Sequence, residues 1–347
     1  MSIVAHDYHH VVGVDTHAKS HTFAIVETHS GALHATAQFP TSPAGLRRSL
    51  TWVTNHTTDH SLLVVEGVGS YGATLATLAI SQSWTVVEPS RMPARQGSGK
   101  TDEIDAERIA RSVLGIDTTR LRKPRSDNGI RDCLRVLVNA RDMMNTERTQ
   151  TINALTALVR TIDLGIDARS ALSASQITMI AQWRTRGEPL DKHIARTEAT
   201  RLATRIQGLT TDLKTNETHI RSCVHASPAA CLLNLYGIGP ICAAIIFLAW
   251  GYHDRIHSGA AFTALAGASP IPASSGNTHH HRLNRHGDRR LNRALTVITN
   301  TRMRSHEPTR DYVNKRTAEG LTHRNIKRIL KCYIARHVYR QLQAQPI

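Results

Sequence analysis

The first part of the chain alternates short apolar runs with amphipathic stretches. Three apolar runs come first, close enough along the chain to pair as a meander of strands: VVGVDTH, TFAIVE and LHATAQF. The pattern then alternates helix, strand, helix, strand, helix, in the segments SPAGLRRSLTWV, SLLVVEG, GATLATLAISQ, TVVEP and TDEIDAERIARSVLG. Ser42 and Pro43 are typical of a helix N-terminus. The pattern predicts an α/β domain over residues 1–125.

The middle of the chain, residues 126–225, is predicted to be helical. One long stretch starts near residue 129 and carries apolar residues at helical spacing with arginines between them. Further on, apolar residues recur in alternating steps of four and three; this seam is Ala195, Ala199, Leu202, Ile206, Leu209, Leu213, Asn216 and Ile220. Such a heptad seam predicts a coiled-coil arm or a dimer contact. The alternative is a helix packed on its own domain, which Gly208 within the seam favours.

Residues 226–347 are predicted to form a third, mainly α-helical domain. Gly237 and Gly239 lie between two predicted apolar helices and resemble the turn of a helix-hairpin-helix, whose backbone N–H groups bind phosphate. A tight turn between helices with a glycine cap is the alternative. A helix is predicted from about Asp288. The last helix is predicted to place Ile326, Ile329, Leu330, Tyr333, Ile334 and Val338 inward. Its other face, Lys327, Arg328, Lys331 and Arg336, fits a solvated or a phosphate-tracking surface.

The charge balance narrows the class of partner. Lys and Arg number 43 against 27 Asp and Glu, a formal net charge of +16, which indicates a polyanion such as nucleic acid. Aromatic residues are only 4%, so arginine contacts are favoured over base stacking. The five cysteines form no CxxC pair and indicate small buried thiols in a reducing compartment. The longest apolar run, 241–251, is too short to cross a bilayer, so we expect a soluble cytoplasmic protein with no membrane partner.

Four carboxylates lie on the predicted strands and on the last helix of the first domain. Asp15 lies within the first strand, Glu66 ends the fourth, and Asp102 and Asp105 share one helical face. The order of elements is that of a ribonuclease H-like domain, in which the first and fourth strands are central neighbours and the last helix crosses their ends. Four acids at one place repel one another unless cations neutralise them, and oxygen ligands favour Mg²⁺. Two ions roughly 3.5 to 4 Å apart can hold both oxygens of a phosphoryl displacement.

Each acid also has a simpler explanation, and two other motifs need weighing. Asp102 could interact only with the helix dipole, and Glu66 could pair with an arginine. GSGKT suggests a phosphate-binding P-loop, but the glycine that this motif requires is Ala94 here, so a basic loop with Arg95 and Lys100 is favoured. In PASSGNTHHHRLNRHGDRR, three adjacent histidines cannot readily converge on one metal ion, so a polar loop is favoured for the run at 279–281.

The ordered set of motifs resembles the IS110 family of insertion-sequence transposases. The motifs are GVDTHAKSH, VVEGVGSYG, KTDEIDAERIA, YGIGPICAA and ASPIPASSGNTHHHRLNRHGDRRLNRAL, and they span nearly the whole chain. The resemblance implies a RuvC-like domain whose four acids are Asp15, Glu66, Asp102 and Asp105. It also implies a coiled-coil connection and a C-terminal transposase domain with a nucleophilic serine.

The resemblance further implies catalysis by that serine, with Ser275 as the first choice and Ser274 as the alternative. The acids would bind Mg²⁺, two ions per site, or Mn²⁺ in its place. The implied partners are double-stranded DNA, a structured noncoding guide RNA from the element itself, and further copies of the chain as a dimer or tetramer. The segment departs from the family at Thr278 and the histidines after it, where basic residues are common.

The remaining expectations concern nucleic-acid contacts and competing functions. The candidate contacts are Lys100, Arg282, Arg285, Arg289, Arg290, Arg293, Gly237 and Gly239. Attack by the serine on DNA would give a phosphoserine linkage from which strands can be rejoined without ATP. The alternatives are a metal-dependent nuclease of Holliday-junction type that uses water, and a non-catalytic nucleic-acid-binding protein.

Overall fold

The computed structural model describes residues 2–58, 60–90, 101–124, 129–184, 186–253, 255–272, 281–282, 284 and 287–345. The chain divides into two compact units, Met1–Ser126 and Asp127–Ile347. The first is a mixed α/β unit and the second is mostly helical, as the sequence predicts at this level. The proposed further division at residue 225 stays a prediction.

A five-stranded sheet forms the centre of the first unit. Its strands are β1 His10–Thr16, β2 Ser20–Glu27, β3 Leu33–Pro40, β4 Ser61–Val65 and β5 Thr85–Val87. The strand order is β3-β2-β1-β4-β5. The first three strands pair antiparallel, whereas β4 is parallel to both β1 and β5. The predicted meander and the central pairing of the first and fourth strands are therefore both present.

Helices cover both faces of this sheet. They are α1 Val4–Asp7, α2 Pro43–His56, α3 Ala73–Ser81 and α4 Asp102–Arg111. One face of the sheet, with Val12 and Val14, packs against α2 and α3. The opposite face packs against α1 and α4, where Val11 meets Ile109. Strand β1 is buried from its second residue onward because it lies between two helical layers.

Helix α4 lies directly on the backbone of β1 at Gly13. A Cβ built on Gly13 would lie 2.0 Å from the Ala106 carbonyl oxygen and 2.4 Å from the Ala110 nitrogen. Real side-chain carbons do not approach backbone atoms so closely, so only glycine fits at this position. Ala106 and Ala110 are one helical turn apart and are both fully buried. Small residues on both elements thus allow the backbone contact.

The second unit is built from eight α-helices within the described residues. They are α5 Ile130–Thr161, α6 Ala174–Ala181, α7 Leu190–His225, α8 Pro240–Trp250, α9 Gly259–Leu265, α10 Arg289–Ser305, α11 Glu307–Ala318 and α12 His323–Gln343. Two strands, β6 Ile271–Pro272 and β7 His281–Arg282, form a short antiparallel pair. The Asp288 carboxylate accepts a hydrogen bond from the Leu291 N–H at 2.9 Å, so α10 begins where the sequence predicts.

Helices α5 and α7 pair antiparallel along much of their lengths. The Asn216 side chain donates to the Leu137 carbonyl at 3.0 Å, and Arg148 donates to the Thr210 hydroxyl at 2.9 Å. Buried residues of the heptad seam, such as Ala199 and Ile206, pack in a cluster with α5 and α6. The seam is therefore packed within its own chain, as the second alternative predicts. A coiled-coil arm between copies stays a prediction.

Three details differ from the sequence-based expectations. Tyr333 was expected inward but is 57% exposed, because it follows the edge of the apolar stripe of α12, whereas Ile326, Leu330, Ile334 and Val338 are buried. The five cysteines are free thiols as expected, but Cys133 is exposed and the others are only partly buried. The helix expected before Gly237 is a 3₁₀-helix, Pro228–Asn234, because this segment is short and the Ser227 hydroxyl caps its first turn.

None of the helices in the described ranges combines the length and the apolar character needed to cross a membrane.

The contact at Gly13 predicts a large effect of a single methyl group. Gly13→Ala forces α4 away from β1, and overpacking of this kind costs about 1–3 kcal/mol. We expect faster amide exchange in peptides that cover β1 and α4, measured by hydrogen–deuterium exchange and mass spectrometry of the full chain. Gly115→Ala is the matched control, since nothing lies within 4 Å of a Cβ there. Equal exchange in the two variants would show that the contact is not a constraint.

Candidate active site

Asp15 lies near the end of β1 on the face that α4 covers. Successive side chains of a strand point to opposite faces, so Asp15 shares a face with Gly13 and not with Val14. Its side chain is only 10% exposed. A carboxylate is costly to bury without a partner, so its position requires a compensating group.

His17 and Asp102 supply the groups that surround Asp15. The His17 Nε2 atom lies 3.1 Å from Asp15 Oδ2 and 3.5 Å from Asp102 Oδ1. Each of the three residues offers one possible ligand atom, and these atoms all lie within 4.8 Å of one another. His17 is 52% and Asp102 47% exposed, so the cluster is buried at Asp15 and open to solvent on the opposite side. We call these three residues the Asp–His cluster.

The geometry of α4 explains why Asp102 reaches this place. Asp102 is one turn before Ala106 on the same face of the helix, and Ala106 contacts Gly13. The helix runs opposite to β1, so its N-terminus lies over the carboxyl end of the strand. The Thr101 hydroxyl caps the helix by accepting a hydrogen bond from the Ile104 N–H at 3.3 Å. The N-terminal helix dipole also favours acids in this first turn.

Glu66 lies beside the cluster, immediately after β4. Its N–H donates to the Val14 carbonyl at 3.1 Å, and the Thr16 hydroxyl donates to the Glu66 carbonyl at 3.0 Å. Glu66 is an exposed residue, yet the surrounding protein removes part of the hydration of its carboxylate. This desolvation, and then the negative charge of Asp15, raises the pKa of Glu66, whereas His17 opposes the shift. The interaction with Asp15 indicates that the two acids are close.

Asp105 has a different environment from the other three acids. Its carboxylate lies 3.7 Å from the Arg108 guanidinium, one helical turn away, and its side chain is 23% exposed. It is not a member of the group of possible ligands formed by Asp15, His17 and Asp102. The structure thus brings two of the predicted acids into one cluster, puts Glu66 beside them, and leaves Asp105 paired with an arginine. Its catalytic role stays a prediction.

His17 is a residue of the cluster that is not among the acids predicted from the sequence. The signal was its spacing, because residues two apart in an extended segment share a face. His17 comes two positions after Asp15, and its N–H donates to the Ser20 carbonyl in the turn to β2. The motif GVDTHAKSH therefore contains a second site residue beside the acid.

The predicted nucleophiles Ser275 and Ser274 lie outside the described residues, but the segment that carries them starts and ends at described positions. Ile271 pairs with Arg282 and Pro272 with His281, so β6 and β7 flank the serines. Gly267 and Gly287 lie on either side of this segment in the sequence. A Cβ on Gly287 would lie 2.2 Å from the Gly267 nitrogen, so the two glycines pack backbone on backbone.

Further hydrogen bonds join the residues on either side of the serine segment. The Asp288 N–H donates to the Leu265 carbonyl at 2.7 Å. The Asn292 side chain donates to the Ala266 carbonyl at 2.7 Å. The end of α9 and the start of α10 are thereby joined, with the serine segment between them.

The predicted basic contacts have different surroundings. Arg290 and Arg293 both bind the Asp142 carboxylate of α5, each at 2.8 Å, and Arg290 also donates to the Asn139 side chain at 2.8 Å. Their positive charge is therefore partly neutralised within the unit. Arg289 is exposed. Lys100 and Arg285 lie outside the described residues, and only the backbone of Arg282 is described.

The glycine turn before α8 packs against α10. Gly237 has a φ of +78°, and Gly239 is the N-cap of α8. The Arg302 side chain donates to the Tyr236 carbonyl at 2.9 Å, and the Tyr236 hydroxyl donates to the Ser305 carbonyl at 2.9 Å. Burial lowers the pKa of the Arg302 guanidinium. The carbonyl side of the turn is thus held by α10, and phosphate binding by its N–H groups stays a prediction.

Comparison with known proteins gives two family matches and one curated relative. Residues 12–163 match a transposase model of the DEDD type in the IS110 group, and residues 229–314 match the model described as transposase, IS116/IS110/IS902 family. The insertion element IS116 uncharacterized 44.8 kDa protein of Streptomyces clavuligerus is 26% identical over 274 residues, which cover 66% of this chain and 68% of that protein.

The two models match the chain in the order that the resemblance predicts. The first covers most of the first unit and continues through α5 of the second unit, and the second lies wholly within the second unit. The first match includes all three residues of the Asp–His cluster as well as Glu66 and Asp105. The second includes the glycine turn and the whole segment around the serines. The chain therefore belongs to the IS110 family of transposases, which makes it a DNA-binding enzyme that cuts and rejoins DNA.

Proposed function

We propose that this transposase cuts and rejoins DNA strands through a covalent link to Ser275, activated at a divalent-metal site that includes the Asp–His cluster. The observation that carries the metal site is the convergence of Asp15, His17 and Asp102 within 4.8 Å at the end of β1. The family models support DNA as the substrate. The serine itself is proposed from its motif, with Ser274 as the alternative.

The residues at the cluster fit a divalent cation. Two carboxylates converge on the imidazole of His17, and Glu66 has a raised pKa in part because Asp15 is negatively charged. A cation would remove that repulsion. Oxygen ligands suit Mg²⁺, and an imidazole nitrogen is more acceptable to Mn²⁺, so we propose that either ion binds. When bound, the ion would favour deprotonation of an attacking hydroxyl and stabilise charge on the phosphate.

Asp15 and Asp102 would hold the ion, with His17 as a third ligand or as the group that orients both carboxylates. Asp105 and Glu66 are proposed for a second ion, as in the two-ion arrangement that the sequence suggests. Asp105 would then have to exchange the ion pair with Arg108 for the metal.

The serine step is proposed as an in-line displacement on a DNA phosphodiester. The bond from the serine Oγ to phosphorus forms, and the bond from phosphorus to one deoxyribose oxygen breaks. The hydroxyl proton passes to a base at the acidic site, and the released sugar oxygen takes up a proton. Attack by that sugar oxygen, or by one from another strand, reverses the step and regenerates the serine. The number of phosphoester bonds is conserved, so ATP is not needed.

The finer architecture and the partners are part of the same proposal. A RuvC-like fold for the first unit is supported by the strand order and by acids on β1, after β4 and on α4. Guidance by a structured noncoding RNA and assembly as a dimer or tetramer are proposed from the family resemblance. The net charge of +16 suits a complex with two kinds of nucleic acid. The proposed location is the cytoplasm, which suits five free thiols.

Ser275→Ala is expected to abolish the covalent protein–DNA adduct, because alanine has no nucleophile. The full chain is incubated with labelled DNA, guide RNA and Mg²⁺, and protease-sensitive adducts are measured on denaturing gels. Ser274→Ala is the matched control and should retain the adduct. Adduct loss only in Ser274→Ala would assign the nucleophile to the other serine. Cleavage by the unmodified chain without any adduct would instead support a nuclease that uses water.

Asp102→Asn is expected to remove most of the stabilisation by metal. A ligand at a hundred times its Kd stabilises the folded state by about 2.7 kcal/mol, and the loss of a charged ligand weakens binding. The measurement is the rise in thermal midpoint on addition of MgCl₂ or MnCl₂. Glu103→Gln removes the same charge from the next residue of α4, which is exposed, and should keep the rise. Equal rises in both variants would place the metal elsewhere.

Glu66→Gln is expected to stabilise the metal-free protein at neutral pH. The raised pKa of Glu66 means that the folded state binds more protons than the unfolded state, so ionised Glu66 opposes folding. The gain should be present above the folded-state pKa of Glu66 and should fade as the pH falls towards the ordinary value of 4.5. Urea unfolding in EDTA across this pH range measures it. A gain that does not change with pH would mean that the charge of Glu66 is not its cause.

A further inference from the structure

A basic groove runs along α12 in the second unit. It consists of two adjacent cavities that share Arg328 and Lys331. The first, of about 200 Å³, lies between α12 and the loop that follows α9. The second, of about 430 Å³, lies between α12 and α10. We call the two together the α12 groove.

The groove concentrates positive charge. Its cations are Arg324, Lys327, Arg328, Lys331 and Arg336, and no acidic residue among those that the structure describes lines either cavity. None of these five forms an ion pair with a residue in the described ranges. The Lys331 ammonium donates to the Asn292 side chain at 3.0 Å and to the Thr296 hydroxyl at 3.3 Å, and both acceptors are neutral.

The positive charges of the groove repel one another. Burial lowers the pKa of Lys331, and the charges of Arg328 and Lys327 lower it further. A bound polyanion would relieve this repulsion, because each cation would then face a phosphate. Arg290 and Arg293, by contrast, already share Asp142. The cations of the α12 groove, unlike Arg290 and Arg293, are therefore available to phosphates.

The groove also exposes an aromatic ring at its first cavity. Tyr333 lines that cavity and is 57% exposed, a large exposed fraction for a tyrosine. The Tyr312 ring meets it edge-on at a centroid distance of 6.5 Å, which leaves a ring face available. A ring beside several cations is the combination that binds unpaired nucleotides, with the base on the ring and the backbone on the cations.

The position of the first cavity indicates which nucleic acid it would bind. Ser269 and Pro270 line the cavity, and the chain continues from them into β6 and then to Ser274 and Ser275. A nucleic-acid strand bound in the first cavity would therefore contact residues that precede the serines by only a few positions in the sequence. DNA, the substrate of this family of enzymes, is the nucleic acid that the serine attacks in the proposed function.

We propose that the α12 groove binds one DNA strand beside the phosphodiester that is attacked, with its phosphates on Arg328, Lys331 and Arg336 and an unpaired base stacked on Tyr333. The location beside the attacked bond rests on the proposed function; the strand-binding groove itself rests on the charges and the ring described above. An unpaired base is required because a base within a duplex is stacked on both faces by its neighbours, whereas an unpaired base can turn out of the stack and offer a face to the ring.

The charge part of the proposal is tested by the double variant Arg328→Gln/Arg336→Gln. Binding of the full chain to a fluorescein-labelled DNA duplex with a short unpaired bubble is measured by anisotropy in EDTA over a range of salt concentrations. Loss of two phosphate contacts should reduce the salt slope by about two. Arg310→Gln/Lys315→Gln removes the same charge from exposed positions of α11 and should leave the slope nearly unchanged. Equal reductions in both double variants overturn the proposal.

The ring part is tested by Tyr333→Ala against Tyr333→Phe. Loss of one stacked base should weaken binding to the bubble duplex about tenfold, while a fully paired duplex of the same sequence is bound as before. Phenylalanine keeps the ring and should keep the preference for the bubble. Thermal midpoints of both variants show whether the second unit stays folded. Weakening confined to a single-stranded RNA of the same sequence, or equal for the paired and bubble duplexes, overturns the proposal.

These measurements need neither metal nor cleavage, so they separate the groove from the chemistry. If no covalent adduct forms but the groove variants weaken DNA binding as expected, the groove binds DNA and the proposed serine chemistry is wrong. Intact adduct formation with no change in the groove variants would overturn the groove alone.

Discussion

The close contact between α4 and β1 at Gly13 is the constraint on which the candidate site depends. Backbone atoms of the helix lie where any side chain on residue 13 would be. This contact sets the height of the helix above the sheet, and therefore the distance from Asp102 to Asp15. Two acids on separate elements reach one histidine only because three small residues, Gly13, Ala106 and Ala110, permit it. The geometry of the site therefore depends directly on the packing of the core.

Part of the positive charge of the chain serves structure in the second unit. Arg131 is 6% exposed and donates to the Leu248 and Gly251 carbonyls at the C-terminus of α8. Arg141 donates to the Leu213 carbonyl, and Arg196 pairs with Glu188 at 2.6 Å. Guanidinium groups suit such places because they can satisfy several acceptors at once. Net charge alone therefore overstates the surface that is free for nucleic acid.

The order of elements and the element that carries each acid could be predicted from the sequence, because period-two and helical patterns act locally. Asp15 was predicted within the first strand, Glu66 at the end of the fourth, and Asp102 on the last helix of the domain. Two sets of ion pairs could not be predicted: that of Asp105 with Arg108, and those of Asp142 with Arg290 and Arg293. Each depends on which side chain is nearest in the folded protein. Tyr333 was assigned to the interior because the apolar pattern treats an aromatic ring as core, whatever its place at the edge of the stripe.

The seam on α7 shows the same limit at a larger scale. A heptad pattern records that a helix has a partner but not whether that partner belongs to the same chain. Here α5 supplies it, with polar side chains that bond to backbone carbonyls across the pair.

The backbone contact between Gly267 and Gly287 has a consequence for how this enzyme can diverge. The contact closes the serine segment at its base, so the free-energy cost of bringing the two ends together falls on α9 and α10 rather than on the segment. Insertions between the two glycines can therefore be accommodated while α9 and α10 keep their places. The two glycines themselves are constrained together: a side chain on Gly287 would clash with the Gly267 backbone, and Gly267 has a φ of +62°, which disfavours other residues.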